Sequence, residues 1–385
     1  MLAALLLVLA APPQIPPEVV LWPDGAPGAV GTEEADTPAI FIYPAHEKEQ
    51  TGAAVVLCPG GGYAVHAMDH EGHQVARWFQ RNGVTCALLR YRLGERYRHP
   101  APLHDVRRAI RHVRANAADL DVDPRRIGVM GFSAGGHLAS TAATMFEAGD
   151  ETSDDPVDRV SSRPDFAVLC YPVISMSESF RHAGSAHRLL GPDASDEQLA
   201  ELSTDRRVTA DTPPTFLFHT VEDTGVPVQN SLAFFSSLLA HGVPCELHAF
   251  ETGPHGVGMA PGDPNLKVWP DLLLRWMERS GFLTGMDRVA VSGTVTVDGR
   301  QIVSGDIHFT GGGLTAYGRI SRGRFSIGES RGVAPGINVI RITDLGGVKP
   351  GPTVEAAKSY FEKVDVIPEE PLDIELSDKA EVEFN

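Results

Sequence analysis

Basic residues are in short supply in this sequence of 385 residues, with 33 Lys and Arg against 50 Asp and Glu and a net charge of −17. Phosphate backbones are bound chiefly through Lys and Arg that displace counterions, so nucleic acid and anionic membrane surfaces are excluded as expected partners. Cysteine is scarcer still. The four present, Cys58, Cys86, Cys170 and Cys245, lie in or beside apolar strand-like runs, where a thiol behaves as a small hydrophobe. Free buried thiols are favoured, while an even count in an exported chain also permits disulfides; the cysteines have no metal-ligand spacing, and no metal or other cofactor is implied. Long apolar runs are missing too: Met1 to Ala11 (MLAALLLVLAA) falls short of the roughly 20 residues a membrane span needs. It reads as a signal peptide over residues 1–10, with small residues for cleavage near Val8-Leu9-Ala10 although no basic residue precedes it, so a secreted or periplasmic location is expected.

What the sequence does have is an alternation of short apolar runs with amphipathic stretches from residue 39 to 283. Such alternation predicts repeated βα units and a mainly parallel sheet with helices on both faces, an α/β class. Ala53 to Cys58, Val84 to Leu89, Ile127 to Met130, Phe166 to Cys170, Thr215 to His219 and Glu246 to Phe250 read as its strands. Leu103, Val106, Ile110, Val113, Ala117 and Leu120 recur at three- and four-residue spacing, with Pro102 in the first turn, and predict a helix over 102–120. Further helices are predicted, one with Val75, Trp78 and Phe79 on one face and Asn82-Gly83 as its stop, one with Val228, Leu232, Phe235 and Leu239, and one around Leu272 to Met277. The polar stretch from Pro172 to Pro213, set between two core strands, is a candidate lid (172–213). After Met286 helical periodicity vanishes. Val291 to Val297, Ile307 to Phe309, Tyr317 to Ile320, Phe325 to Ile327 and Val339 to Ile342 alternate between turn signals, which predicts a small all-β sandwich over 289–385 beside a catalytic unit over 18–283.

Directly after the strand ending at Met130 stands Gly131-Phe132-Ser133-Ala134-Gly135, followed by a small-residue helical stretch. This is G-x-S-x-G between a strand and a helix, where a sharp turn lifts a serine hydroxyl above the sheet. Ser133 is therefore the candidate nucleophile. A serine needs a base oriented by an acid, and in this arrangement the acid and then the histidine follow on loops after later strands. Glu222 and Asp223 follow the strand ending at His219, and Asp223 is favoured over its neighbour. His255 follows the strand ending at Phe250, and of the 15 histidines it alone holds the required loop position. Acyl transfer also needs amide donors aimed at an oxyanion. Ala134 supplies one, and Cys58-Pro59-Gly60-Gly61-Gly62-Tyr63 is similar to an HGGG-type loop with Pro59 in place of His. Gly61 and Gly62 are the candidate donors there, and Tyr63 is a candidate substrate contact at the pocket mouth. Asp69-His70-Glu71 lacks the further ligands a metal would need and is expected to hydrogen-bond the loop beside Tyr63.

Together GFSAGG, CPGGGY, Asp69-His70-Glu71-Gly72, EDTGVP and GPHG resemble secreted bacterial α/β-hydrolases of the carbohydrate-esterase type, acetyl xylan esterases and BD-FAE-like proteins, some of which carry the name xylanase B. The resemblance covers residues 18–282. It implies an α/β-hydrolase fold and hydrolysis of short acyl esters, chiefly acetate, with an acylated carbohydrate or small ester as substrate. The tail resembles carboxypeptidase-regulatory-like or transthyretin-like modules. A peptidase of the same fold stays open, since a triad does not by itself choose between ester and amide. So does a surface binding protein whose β module is the working part.

Overall fold

The computed structural model describes residues 14–283, 289–311, 314–328, 332–344, 358–368 and 370–376, so the expected signal peptide lies outside the described residues. Eight strands, β1 (Glu18–Val20), β2 (Ala39–Tyr43), β3 (Ala54–Cys58), β4 (Thr85–Arg90), β5 (Ile127–Phe132), β6 (Phe166–Cys170), β7 (Thr215–Thr220) and β8 (Cys245–Phe250), form one sheet in the order β1-β2-β4-β3-β5-β6-β7-β8. The first two pairings are antiparallel and all the others parallel. Strands β3, β5 and β6 are buried along their whole length. Continuous apolar runs are what a parallel strand covered on both faces requires.

Helices cover both faces and divide the core in two. One cluster packs α2 (Ala101–Ala115), α3 (Ser133–Thr144) and α6 (Gln229–Ala240) on one face through Leu103, Ile110, Ala139 and Phe234. The other packs α1 (Gln74–Arg81) and α7 (Trp269–Arg279) through Phe79, Trp269 and Trp276. Each fully buried side chain of this size contributes about 1.5–3 kcal/mol. Helix α2 stops earlier than its apolar spacing predicts. The Asn116 side chain takes the His112 carbonyl at 2.8 Å, an alternative to further helix, and Asp121 then enters the left-handed region at φ +53°. Helix α6 forms but is rotated: Ser231, Phe234 and Leu238 are buried, while Leu232 and Leu239 are exposed. Cys58, Cys86 and Cys170 are buried free thiols, and burial pushes those of Cys58 and Cys86 upward.

The segment 172–213 carries two short helices, α4 (Ala183–Leu190) and α5 (Asp196–Glu201). It is fastened at both ends. Asn230 Oδ1 accepts the amides of Ile174 and Ser175 at 3.0 and 3.1 Å, and Ser140 Oγ meets Thr204 Oγ1 at 2.8 Å.

Beyond residue 289 a separate sheet runs β10 (Arg300–Gln301), β9 (Val291–Val297), β13 (Arg324–Ile327), β12 (Leu314–Ser321), β11 (Ser304–Gly311), β14 (Gly336–Asp344), β15 (Lys358–Val366), with β16 (Leu372–Leu376) paired to β9 in parallel. Inward residues from many of these strands, Val295, Phe309, Ile320 and Ile342 among them, form one buried cluster. Strands β15 and β16 were not predicted, although Leu372, Ile374 and Leu376 alternate in the strand period.

Candidate active site

Strand β5 passes directly into α3 at Ser133, which is held in the left-handed region at φ +52°. A non-glycine residue there is strained, and it persists only where the surroundings fix it. Here glycines make the turn possible: a Cβ at Gly131 would strike the Gly135 carbonyl, and one at Gly135 would strike the Cys58 carbonyl. The turn is thus wedged between α3 and the loop after β3. Ser133 sits at the start of α3, whose first amides, Ala134 included, have no partner within the helix.

The loops after β7 and β8 bring the other two side chains to it. Ser133 Oγ lies 2.7 Å from His255 Nε2, and His255 Nδ1 lies 2.6 Å from Asp223 Oδ2. The Asp223 side chain is fully buried, and its Oδ1 accepts the amides of Gly225 and Val226 at 2.9 and 2.8 Å. Burial opposes ionisation of Asp223. Hydrogen bonds from His219, His255 and the Val226 amide outweigh it and hold the carboxyl well below the usual carboxylate range. Glu222 instead accepts the Gly253 amide at 3.3 Å, which ties the backbone of the His255 loop and leaves the imidazole to Asp223.

The glycine loop runs alongside. A Cβ at Gly60 would lie 3.0 Å from the Ser133 Cβ, so backbone and nucleophile are in near contact. Gly61 and Gly62 both have positive φ, +125° and +65°, a conformation open to glycine. Tyr63 differs from expectation. Its side chain is 1% exposed and turned inward, where its hydroxyl meets His137 Nδ1 at 2.8 Å, so it does not line a pocket mouth. With Gly62 at positive φ and Tyr63 itself at φ +58°, the chain reverses and carries the ring into the core.

Two residues join these loops: Glu71, from the segment expected to bond the glycine loop, and Tyr171, which sequence reasoning did not place at the site. Glu71, 3% exposed, accepts the Gly60 amide at 2.9 Å and the Tyr171 hydroxyl at 2.8 Å. The Tyr171 hydroxyl in turn accepts the Gly258 amide at 2.9 Å, and its ring stands edge-on to His255 at 5.1 Å. Within the Asp69-His70-Glu71 segment it is Glu71 that hydrogen-bonds the loop beside Tyr63, through the Gly60 amide. Tyr171 had one readable signal: it follows a core parallel strand at its carboxyl end, where ligand sites of such sheets lie. Among the described residues no group of three His, Cys, Asp or Glu side chains could hold a metal ion.

The BD-FAE family profile matches residues 40–238, more than half of the chain. Among curated proteins, the endo-1,4-β-xylanase B of Butyrivibrio fibrisolvens is 34% identical over 226 residues, 58% of this chain and 35% of that one. The acetylxylan esterase of Xylanibacter ruminicola is 35% identical over 214 residues, 54% of this chain and 42% of that one. The chain thus spans less than half the length of these two relatives. A crystal structure of an acetyl ester-xyloside bifunctional hydrolase from Caldicellulosiruptor lactoaceticus superposes with a TM-score of 0.65 at 44% identity, over 70% of this chain and 98% of that one. The chain belongs to the BD-FAE family, and it has the α/β-hydrolase fold of the esterases it is similar to.

Proposed function

We propose that this protein is a carboxylic-ester hydrolase that removes short acyl groups, chiefly acetate, from carbohydrate through an acyl-enzyme on Ser133. The observation that carries this reading is the 2.7 Å approach of Ser133 Oγ to His255 Nε2 with Asp223 on the far side of the ring. His255 takes the hydroxyl proton as Ser133 attacks the ester carbonyl, and the amides of Ala134, Gly61 and Gly62 receive the oxyanion. The protonated imidazole then hands its proton to the departing sugar oxygen. Water repeats the sequence on the acyl-enzyme, with His255 as base, and releases acetate. Asp223 keeps the His255 proton on Nδ1 and stabilises the imidazolium.

Support for acetylated carbohydrate comes from the relatives named acetylxylan esterase and acetyl ester-xyloside hydrolase. The apolar start of the sequence supports a secreted or periplasmic location, and among the described residues no helix is long and apolar enough to cross a membrane. Residues 18–283 act as the catalytic unit, 172–213 roofs the site, and 289–385 is the appended β module. The test is acetate release from acetylated xylan and from 4-nitrophenyl acetate. Wild type hydrolyses both, and Ser133→Ala loses a factor of about 10⁶ in kcat. A Ser133→Ala variant as active as wild type overturns the reading.

A further inference from the structure

Two cationic or ionisable side chains, His182 at the N-cap of α4 and Arg188 within it, have no part in the chemistry above, yet both lie beside the glycine loop. A Cβ at Gly62 would lie 3.6 Å from Arg188 Nη1 and 3.9 Å from His182 Cε1. Gly62 is two residues from Gly60, which touches Ser133, so the guanidinium stands beside the backbone that receives the oxyanion. Helix α4 reaches this position because a Cβ at Gly94 would strike the Arg188 backbone. Gly94 is itself bonded to the loop, its amide donating to the Tyr63 carbonyl at 3.1 Å.

Arg188 is poorly satisfied there. Its one polar contact among the described residues is a 3.4 Å bond from Nη1 to the Gly184 carbonyl, and it has no carboxylate partner. Arg92, Arg96, Arg108 and Arg114, by contrast, each hold an aspartate. His182 is fixed from behind, since Nδ1 accepts the Ser185 amide at 3.2 Å and meets Ser185 Oγ at 2.8 Å, and that leaves the ring proton on Nε2 as a further donor. A planar guanidinium whose only acceptor among the described residues is that long carbonyl contact, beside one imidazole donor, matches a carboxylate in shape and charge.

We propose that Arg188, with His182 beside it, forms an anion subsite of the active site that takes a carboxylate carried by the ester substrate, on its acyl group or on its sugar. The proposal rests on the esterase reading and adds the substrate's charge to it. The test uses the full-length protein and two matched pairs of esters: 4-nitrophenyl acetate against mono-4-nitrophenyl succinate, and acetylated methyl xyloside against acetylated methyl glucuronoside. The quantity measured is the kcat/KM ratio, anionic over neutral, in wild type, R188Q and R188K. Hydrogen bonds to a charged group are worth on the order of tenfold or more, so R188Q lowers that ratio by at least about tenfold for one pair. R188K restores part of it, and added salt shrinks it in wild type. The pair that responds identifies acyl group or sugar as the carrier.

Equal ratios in wild type and R188Q for both pairs overturn the subsite and leave the esterase reading standing. A wild type that hydrolyses none of the four esters overturns both. Should R188Q not fold, inhibition of wild type by free succinate or methyl glucuronoside decides. Salt-sensitive competitive inhibition supports the subsite, and no inhibition by either overturns it.

Discussion

Tyr63 and His137 meet through a 2.8 Å hydrogen bond between the phenol hydroxyl and Nδ1, and this bond fastens the glycine loop to the helix that begins at Ser133. The direction of the bond follows from the other side of the ring. His137 Nε2 lies 2.8 Å from the Leu202 carbonyl, which can only accept, so Nε2 carries the proton and Nδ1 accepts from Tyr63. One imidazole thereby joins the glycine loop, helix α3 and segment 172–213.

Tyr63→Phe keeps the ring packed against Tyr91 and His137 and removes only the donor. It leaves a buried acceptor unpaired, which costs about 1–3 kcal/mol. The expected result is a lower Tm and a kcat that falls while KM stays close to its original value. A side chain touching substrate gives the opposite split, a raised KM with kcat preserved.

The same ring makes stability depend on pH. Burial pushes the His137 imidazole down to about 4, with the hydrogen bond to Leu202 opposing. Burial likewise holds His66 at about 4. An unfolded chain protonates these rings near 6.5. Between about 4 and 6.5 the unfolded state therefore binds more protons, and stability rises with pH through that window. Acidifying across it removes up to on the order of 3 kcal/mol for His137. Urea unfolding at pH 4.5 and pH 7 measures the difference, and a flat profile refutes it.

Asp223 and Glu222 stand side by side in the chain but differ in what they hold. Asp223→Asn removes the acceptor that fixes the His255 tautomer and lowers kcat by about 10⁴. Glu222→Gln alters only a 3.3 Å bond to the Gly253 amide and changes kcat less than about tenfold. Hydrogen bonds keep Asp223 ionised well into the acid range, so protonation of this carboxyl is not what limits activity on mild acidification. Kinetics of both variants across pH check the assignment, which falls if Glu222→Gln is the more damaging.

Much of this site was legible because catalysis constrains chain order. A nucleophile between strand and helix, then an acid and a histidine after later strands, is a pattern local enough to read. Glu71 and Tyr171 were harder, being 100 residues apart and joined only when the sheet brings the ends of β3 and β6 together. Tyr63 was misread for a related reason: its neighbours place it at the site, but the positive φ values at Gly62 and Tyr63, not the residue type, decide which way the ring points. The six parallel strands from β3 to β8 were read, since continuous apolar runs survive without tertiary information, whereas the antiparallel β1 and β2 and the short helices α4 and α5 were not.

Helix α6 marks where spacing alone fails. Positions 228, 232, 235 and 239 satisfy helical periodicity, but so do 231, 234 and 238; the second set is buried throughout, whereas of the first Val228 is buried, Phe235 is partly buried and Leu232 and Leu239 are exposed. Polar chemistry breaks the tie. Asn230 must face inward to accept the Ile174 and Ser175 amides, and Ser231 must face inward to donate to His219 Nδ1 at 2.8 Å. His219 donates from Nε2 to the Val226 carbonyl at 2.8 Å, beside the Asp223 turn, so the rotation of α6 is coupled to the catalytic acid. Leu232 and Leu239, 45% and 57% exposed, are left outside by that rotation. Leu232→Gln and Leu239→Gln are expected to change stability by no more than about 0.5 kcal/mol. Phe234→Ala, which empties a fully buried site, costs about 3–5 kcal/mol. Chemical denaturation of the three variants reads the helix's orientation directly, and a leucine variant as damaging as Phe234→Ala means that the outer face of α6 is covered.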